Sequence, residues 1–220
     1  MERHDLRIVH AAWIPEAIAE IRDIPLGQTL DVYARFTKHS KLKATELNLD
    51  EESNEATRYW KDWLTDKTRN MPFVSEIANF MVHLQMSNPI RVVTSGVERI
   101  AESPFFSGGK WRFVTRYPWW NDYSEDIPVI VGHYWRRVVP PTDPVARELD
   151  LFSEHGPYDW HGARRNVFCL DYSVGARFKE RKEGLEIGTN THLIAMRWPE
   201  RELVFDSGHR IPSSQFKTLK

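Results

Sequence analysis

Two histidines stand where short apolar runs end. His10 closes Leu6-Arg7-Ile8-Val9, and His133 closes Val129-Ile130-Val131-Gly132. In open α/β folds the carboxyl ends of strands border the crevice where ligands collect, so polar groups placed there face outward from the core. Neutral imidazole is the commonest metal ligand, and two such rings can share one ion. Gly132 would let the backbone come close to a ligand or take a strained turn. The spacing leaves a second reading open, in which both histidines cap their strands and hydrogen-bond to carbonyls. His4, His39, His83, His155, His161 and His209 lie in polar or helical contexts that suit solvated surface, and His192, which opens a strand, suits a structural role. Arg112 and Arg116 flank a strand between the two histidine blocks. Their planar forks match phosphate oxygens, with intramolecular ion pairs as the alternative. Arg116 is preferred, because it adjoins the Tyr117-Pro118-Trp119-Trp120 corner. Asp171 either orients His133 or caps its own strand.

The elements that must position these residues change character along the chain. Residues 6–11 read as a short buried strand. Pro15 sits at a first helical position ahead of a short amphipathic segment. Residues 29–86 read as helical. Leu30, Val32, Tyr33 and Phe36 open one segment, a second runs from Asp50 to Trp63, and a third, beginning at Pro72, carries Ile77, Phe80, Met81 and Leu84 on one face. Asn88-Pro89 marks a break. Strands are then expected at 90–93, at 111–114 after the Gly108-Gly109 turn, and at 127–133, 166–172, 192–198 and 202–205, the last two joined as a hairpin. Residues 138–165, rich in Pro, Asp and His, read as a surface insertion. The expected fold class is α/β, helical over 15–86 and strand-rich afterwards.

Composition narrows the function classes. Thirty Lys and Arg against 31 Asp and Glu leave a net charge of -1 over 220 residues, which argues against nucleic acid as a partner. One cysteine, Cys169, excludes an intramolecular disulfide framework and a Cys-based zinc ribbon, and suits a reducing, cytoplasmic setting. No run approaches the roughly 18 apolar residues of a membrane span, and the polar start Met1-Glu2-Arg3-His4-Asp5 has no signal-peptide core behind it. Nine tryptophans, several paired or beside arginine, are an oddity that packing usually explains.

Four ordered blocks carry a resemblance: Val9-His10-Ala11-Ala12-Trp13, Gly132-His133-Tyr134-Trp135-Arg136, Cys169-Leu170-Asp171-Tyr172-Ser173-Val174 and Leu193-Ile194-Ala195-Met196-Arg197-Trp198. Together they resemble the C-terminal half of bacterial calcineurin-like metallophosphoesterases. The blocks Gly96-Val97-Glu98, Gly109-Lys110-Trp111-Arg112 and Arg116-Tyr117-Pro118-Trp119-Trp120 look like a subgroup of that family. The resemblance implies one partial domain over 1–220, belonging to an αββα sandwich, and a dinuclear site of two divalent ions (Mn, Fe, Zn or Ni). In it His10 and His133 would bind the same metal. Trp135 stands where many relatives have a second histidine, which is more like the protein-phosphatase and diadenosine tetraphosphatase branches than the nuclease branch.

The family's Asp-x-His, Gly-Asp-x-x-Asp-Arg-Gly and Gly-Asn-His motifs precede the Val-His-Ala block, and none of them occurs ahead of that block here. Two metals held roughly 3.5–4 Å apart polarise the phosphate and supply the hydroxide nucleophile, which two histidines cannot arrange alone. The expectation is a phosphatase-type hydrolase acting on a phosphate ester or anhydride, inactive as this chain alone, its N-terminal half either a separate chain or the missing part of a longer one. The alternative is a non-catalytic remnant that binds partners through a Trp-rich surface. On either reading the strand at 6–11 is expected to lack sheet neighbours and leave exposed edges.

Overall fold

The structure is a computed structural model that describes residues 1–139 and 150–217. In chain order its elements begin with β1 (Arg7–Ile8), α1 (Pro15–Ile21), α2 (Thr29–Glu46), α3 (Leu49–Tyr59), α4 (Ser75–Met86) and α5 (Pro89–Ser95). There follow β2 (Glu98–Ser107), β3 (Lys110–Arg116), β4 (Val129–Val131), β5 (Val167–Cys169) and α6 (Arg177–Lys182). The antiparallel set β6 (Ile194–Arg197), β7 (Glu202–Phe205) and β8 (Arg210–Pro212) ends the series. The fold class is mixed α/β. The chain divides into two compact units, Met1–Ala12 with Pro118–Lys220, and Trp13–Tyr117.

Helices α1 to α5 gather in the Trp13–Tyr117 unit. Met71, Val74, Ile77, Ala78, Phe113 and Val114 form its core, so α4 lays its apolar face on the β2–β3 hairpin. The hairpin turns at Gly108 (φ 59°) and Gly109 (φ 78°), consecutive left-handed positions that glycine takes at least cost. Register slips between Ile100 and Phe105, across Pro104, which has no N–H to give to a ladder. Residues 90–93, expected as a strand, are helical. Asn88 is fully buried and caps α5, its side chain accepting from Ile90 N at 3.1 Å and Arg91 N at 3.3 Å, with Pro89 in the first turn. The Asn-Pro pair is therefore a helix start and not a break. The third helical segment begins at Ser75, not Pro72.

In the other unit, β4 is the centre of a parallel sheet ordered β1-β4-β5, with Ile8 opposite Ile130 and Val131 opposite Cys169. All three β4 residues are buried, as a two-sided central strand requires. Leu6, Ile130, Trp160, Phe168, Ile194, Leu203 and Phe205 belong to one core, so this sheet and the antiparallel β6-β7-β8 sheet share an interior. The expected bare edge at β1 is not found. The Met1 amino group donates to Ile8 O at 2.8 Å and Ile8 N donates to Met1 O at 2.9 Å, so the chain's first residues pair along the strand.

Of the expected surface insertion at 138–165, residues 140–149 lie outside the described residues. In the described remainder Phe152, Trp160 and His161 are buried, while Ser153, Glu154, Ala163 and Arg165 are exposed. Pro, Asp and His report backbone irregularity, and here the irregular chain folds inward because its aromatic rings have apolar partners. His161 also corrects the reading of that histidine as solvated. His83 is half-buried and hydrogen-bonds Ser40 O at 3.0 Å.

Candidate metal-binding site

His10 and His133 follow neighbouring parallel strands, β1 and β4, and their ring centroids are 5.5 Å apart. The ladder brings them there. Val9 N donates to Ile130 O at 3.1 Å and Gly132 N donates to His10 O at 2.9 Å, extending the β1–β4 pairing past the last strand residue. Trp119 Nε1 donates to Ala11 O at 3.2 Å and fixes the next turn of chain. His10 is exposed and His133 half-buried, as strand-end groups facing a crevice should be.

The His133 loop is held in a conformation that its side chains resist. His133 (φ 69°) and Trp135 (φ 53°) are both left-handed, at about 1–2 kcal/mol each for L-residues. Tyr134 N donates to Gly132 O at 2.8 Å, and Arg136 N donates to Asp171 O at 2.7 Å. Unfavourable backbone of this kind persists where surrounding structure fixes it, and it gathers at ligand sites. Gly132 is not the strained residue: a Cβ there would meet His10 O at an ordinary 3.6 Å.

A concavity of about 500 Å³ opens over the pair, lined by His10, His133, Asp171, Ile8, Leu170 and Ile194 among others. Asp171 caps the turn that follows β5, its Oδ1 accepting from Ser173 N at 2.9 Å. Two imidazoles on one wall suit a borderline divalent ion such as Mn, Fe, Zn or Ni. They fall short of a full donor set: among the described residues no group of three or more His, Cys, Asp or Glu is placed to hold a metal. The described residues thus bring two imidazole donors together without a third His, Cys, Asp or Glu grouped with them.

Arg112 and Arg116 belong to the Trp13–Tyr117 unit, both on β3. Arg112 Nε donates to Ser107 O at 3.1 Å beside the hairpin turn. Arg116 stands opposite Glu98 in the hairpin register. Burial raises the Glu98 carboxyl above its usual range, and Arg116, Arg112 and Arg91 oppose that rise.

No signal in the sequence announces the group buried behind the His133 loop. The Arg136 side chain is fully enclosed, its Nη2 donating to Gly156 O at 2.7 Å and Asp159 O at 2.6 Å. The guanidinium lies 4.8 Å from the Phe168 ring centroid and 5.3 Å from that of Phe152. Nε and Nη1 find no partner among the described residues. His161 is buried nearby with both ring nitrogens unpartnered among those residues, and burial together with the Arg136 charge holds it well below the usual histidine range. No local pattern marks an arginine for burial, because burying one unpaired is normally prohibitive. The tryptophans mostly pack inside: Trp13, Trp119, Trp120 and Trp160 are buried, while Trp135 is 64% exposed.

No protein-family model, curated protein or solved structure matches this chain. The class that stands on the structure itself is a mixed α/β protein with paired strand-end histidines over an open concavity. Among the described residues no helix is long and apolar enough to cross a membrane.

Proposed function

We propose that this chain supplies part of the metal shell of a phosphoesterase-type hydrolase, through His10 and His133. The observation that carries the reading is the 5.5 Å approach of two imidazoles at the carboxyl ends of adjacent parallel strands. A bound divalent ion would supply Lewis acidity toward a phosphate ester or anhydride and activate water. The chain's contribution is to hold two nitrogen donors on a rigid ladder and to leave the concavity open to a substrate. The remaining oxygen donors, and a second ion, would come from an N-terminal half, whether part of a longer chain or a separate polypeptide. Arg116, and after it Arg112, are kept as guanidinium candidates for phosphate oxygens on the chemistry of the planar fork. A reducing, cytoplasmic setting fits the lone Cys169, whose thiol burial pushes up to about 11.

Calorimetric titration of the purified chain with Zn²⁺ and Mn²⁺ tests this, alongside phosphatase assays with and without an added N-terminal half. Weak binding of one ion, abolished by His10→Ala and by His133→Ala, is expected, with negligible turnover by the chain alone. Equal titrations for wild type and both variants would remove the metal role and leave an interaction module as the reading. Robust hydrolysis by the isolated chain, lost in His133→Ala, would show that its own residues complete the site.

A further inference from the structure

Two exposed grooves in the Trp13–Tyr117 unit meet at Thr45, one basic and the other acidic at the end next to Thr45. The first, about 640 Å³, runs along the outer face of α2 and includes Leu30, Ala34, Lys38, Lys41 and Leu42. The second, about 540 Å³, runs along α3 and includes Asp50, Glu51, Asn54 and Arg58, with the two carboxylates in the first turn of the helix and Arg58 in its last turn. Thr45 lines both, and its Oγ1 donates to Asp50 Oδ2 at 2.7 Å, so the two arms are joined side chain to side chain. Beside the junction Leu42 is 54% and Leu47 60% exposed. The corner is sharp because Asn48 takes a left-handed conformation (φ 59°) between the helices. Among the described residues Lys43 of α2 pairs with Glu46, whereas Lys38 and Lys41 meet no carboxylate within 4.0 Å.

We propose that this corner is a self-association surface, and that its occupant is a second copy of the chain. A two-fold axis through the neighbourhood of Thr45 lays the basic arm of each copy on the acidic arm of the other. Lys38 and Lys41 then face the second copy's Asp50 and Glu51, with the exposed leucines meeting at the centre. Isologous contacts require this kind of self-complementarity, in which one patch carries both halves of each pair. A foreign acidic segment or an anionic lipid surface would engage the basic arm and leave the acidic arm unmatched. Exposed ion pairs are weak and screened by salt, so the dimer is a salt-sensitive one.

Sedimentation equilibrium of the full chain over a concentration series, at about 0.05 M and about 0.5 M salt, tests the proposal. A dimer that dissociates at the higher salt is expected. The double variant Lys38→Glu/Lys41→Glu should weaken association by about tenfold or more through like-charge contacts, and so should Glu51→Lys/Asn54→Lys. An equimolar mixture of the two variants should recover association at least as tight as wild type. Circular dichroism confirms that each variant is folded, and all of these substitutions are at exposed positions. A monomer at every concentration, variants that associate like wild type, or a mixture that stays monomeric would each overturn the proposal. Binding of the monomer to anionic vesicles, lost only in Lys38→Glu/Lys41→Glu, would overturn it in favour of a lipid surface.

Discussion

Replacing His161 with phenylalanine should stabilise the protein, and the gain should grow on acidification. The ring is fully buried, its centroid 4.7 Å from that of Trp120 and 5.2 Å from that of Phe152. Neither nitrogen makes a hydrogen bond of full geometry among the described residues, the Asp159 main chain lying just close enough to favour the charged ring slightly. A buried polar group left unsatisfied costs about 1–3 kcal/mol, and a phenyl ring of similar size removes that cost while keeping the aromatic contacts. Acid adds a second contribution. Burial, then the Arg136 charge and His155, hold the folded His161 well below its ordinary 6.5, with the Asp159 main chain opposing. As the pH falls below that value the unfolded chain takes up a proton that the folded chain refuses. Stability is therefore fully present above about pH 6.5 and is lost at about 1.4 kcal/mol per pH unit until the folded group itself titrates. His155, also lowered by burial, works in the same direction. Urea unfolding of wild type and His161→Phe, followed by tryptophan fluorescence at about pH 7.5, 6.5 and 5.5, gives the comparison. The variant should lead by about 1–3 kcal/mol at the highest pH, with a margin that widens toward the lowest. Parallel pH profiles, or a variant less stable than wild type throughout, would refute the reasoning: His161 would then be hydrogen-bonded in solution.

Other substitutions probe the same framework by the shift in unfolding midpoint. Arg136→Ala should cost about 3 kcal/mol, since it strips charged donors from the Gly156 and Asp159 carbonyls and leaves a cavity among rings. Arg136→Met should cost less, because it fills the aromatic enclosure without a buried charge. Gly162→Ala should cost about 2 kcal/mol or more, given φ of 85° and a Cβ that would fall 2.5 Å from Trp120 O. Asn88→Ala should cost about 1 kcal/mol by removing the α5 cap, with a matching loss of helical circular dichroism.

Where a local pattern is sufficient, the sequence determined the outcome. The alternating run at 202–205 is β7, the continuous apolar run at 129–131 is the central strand β4, and the Gly108-Gly109 pair turns the β2–β3 hairpin. The two strand-end histidines were legible for the same reason, because a short buried strand must stop and the residues just past its end meet solvent. Other features depend on partners distant in the chain, and these only the tertiary structure decided. Residues 90–93 include β-branched side chains, yet a buried cap on Asn88 outweighs that preference. Arg7 interrupts an apolar strand and is nevertheless buried, because Tyr123 and Glu125, more than a hundred residues later, reach its guanidinium at 2.7 and 2.8 Å. His161 looks solvated in a polar stretch and lies in the core, because Trp120 and Phe152 arrive from elsewhere to enclose it. Periodicity and turn chemistry act over a few residues, whereas the burial of a charge or an imidazole depends on whether distant side chains repay its desolvation, and that is settled only when the chain has folded.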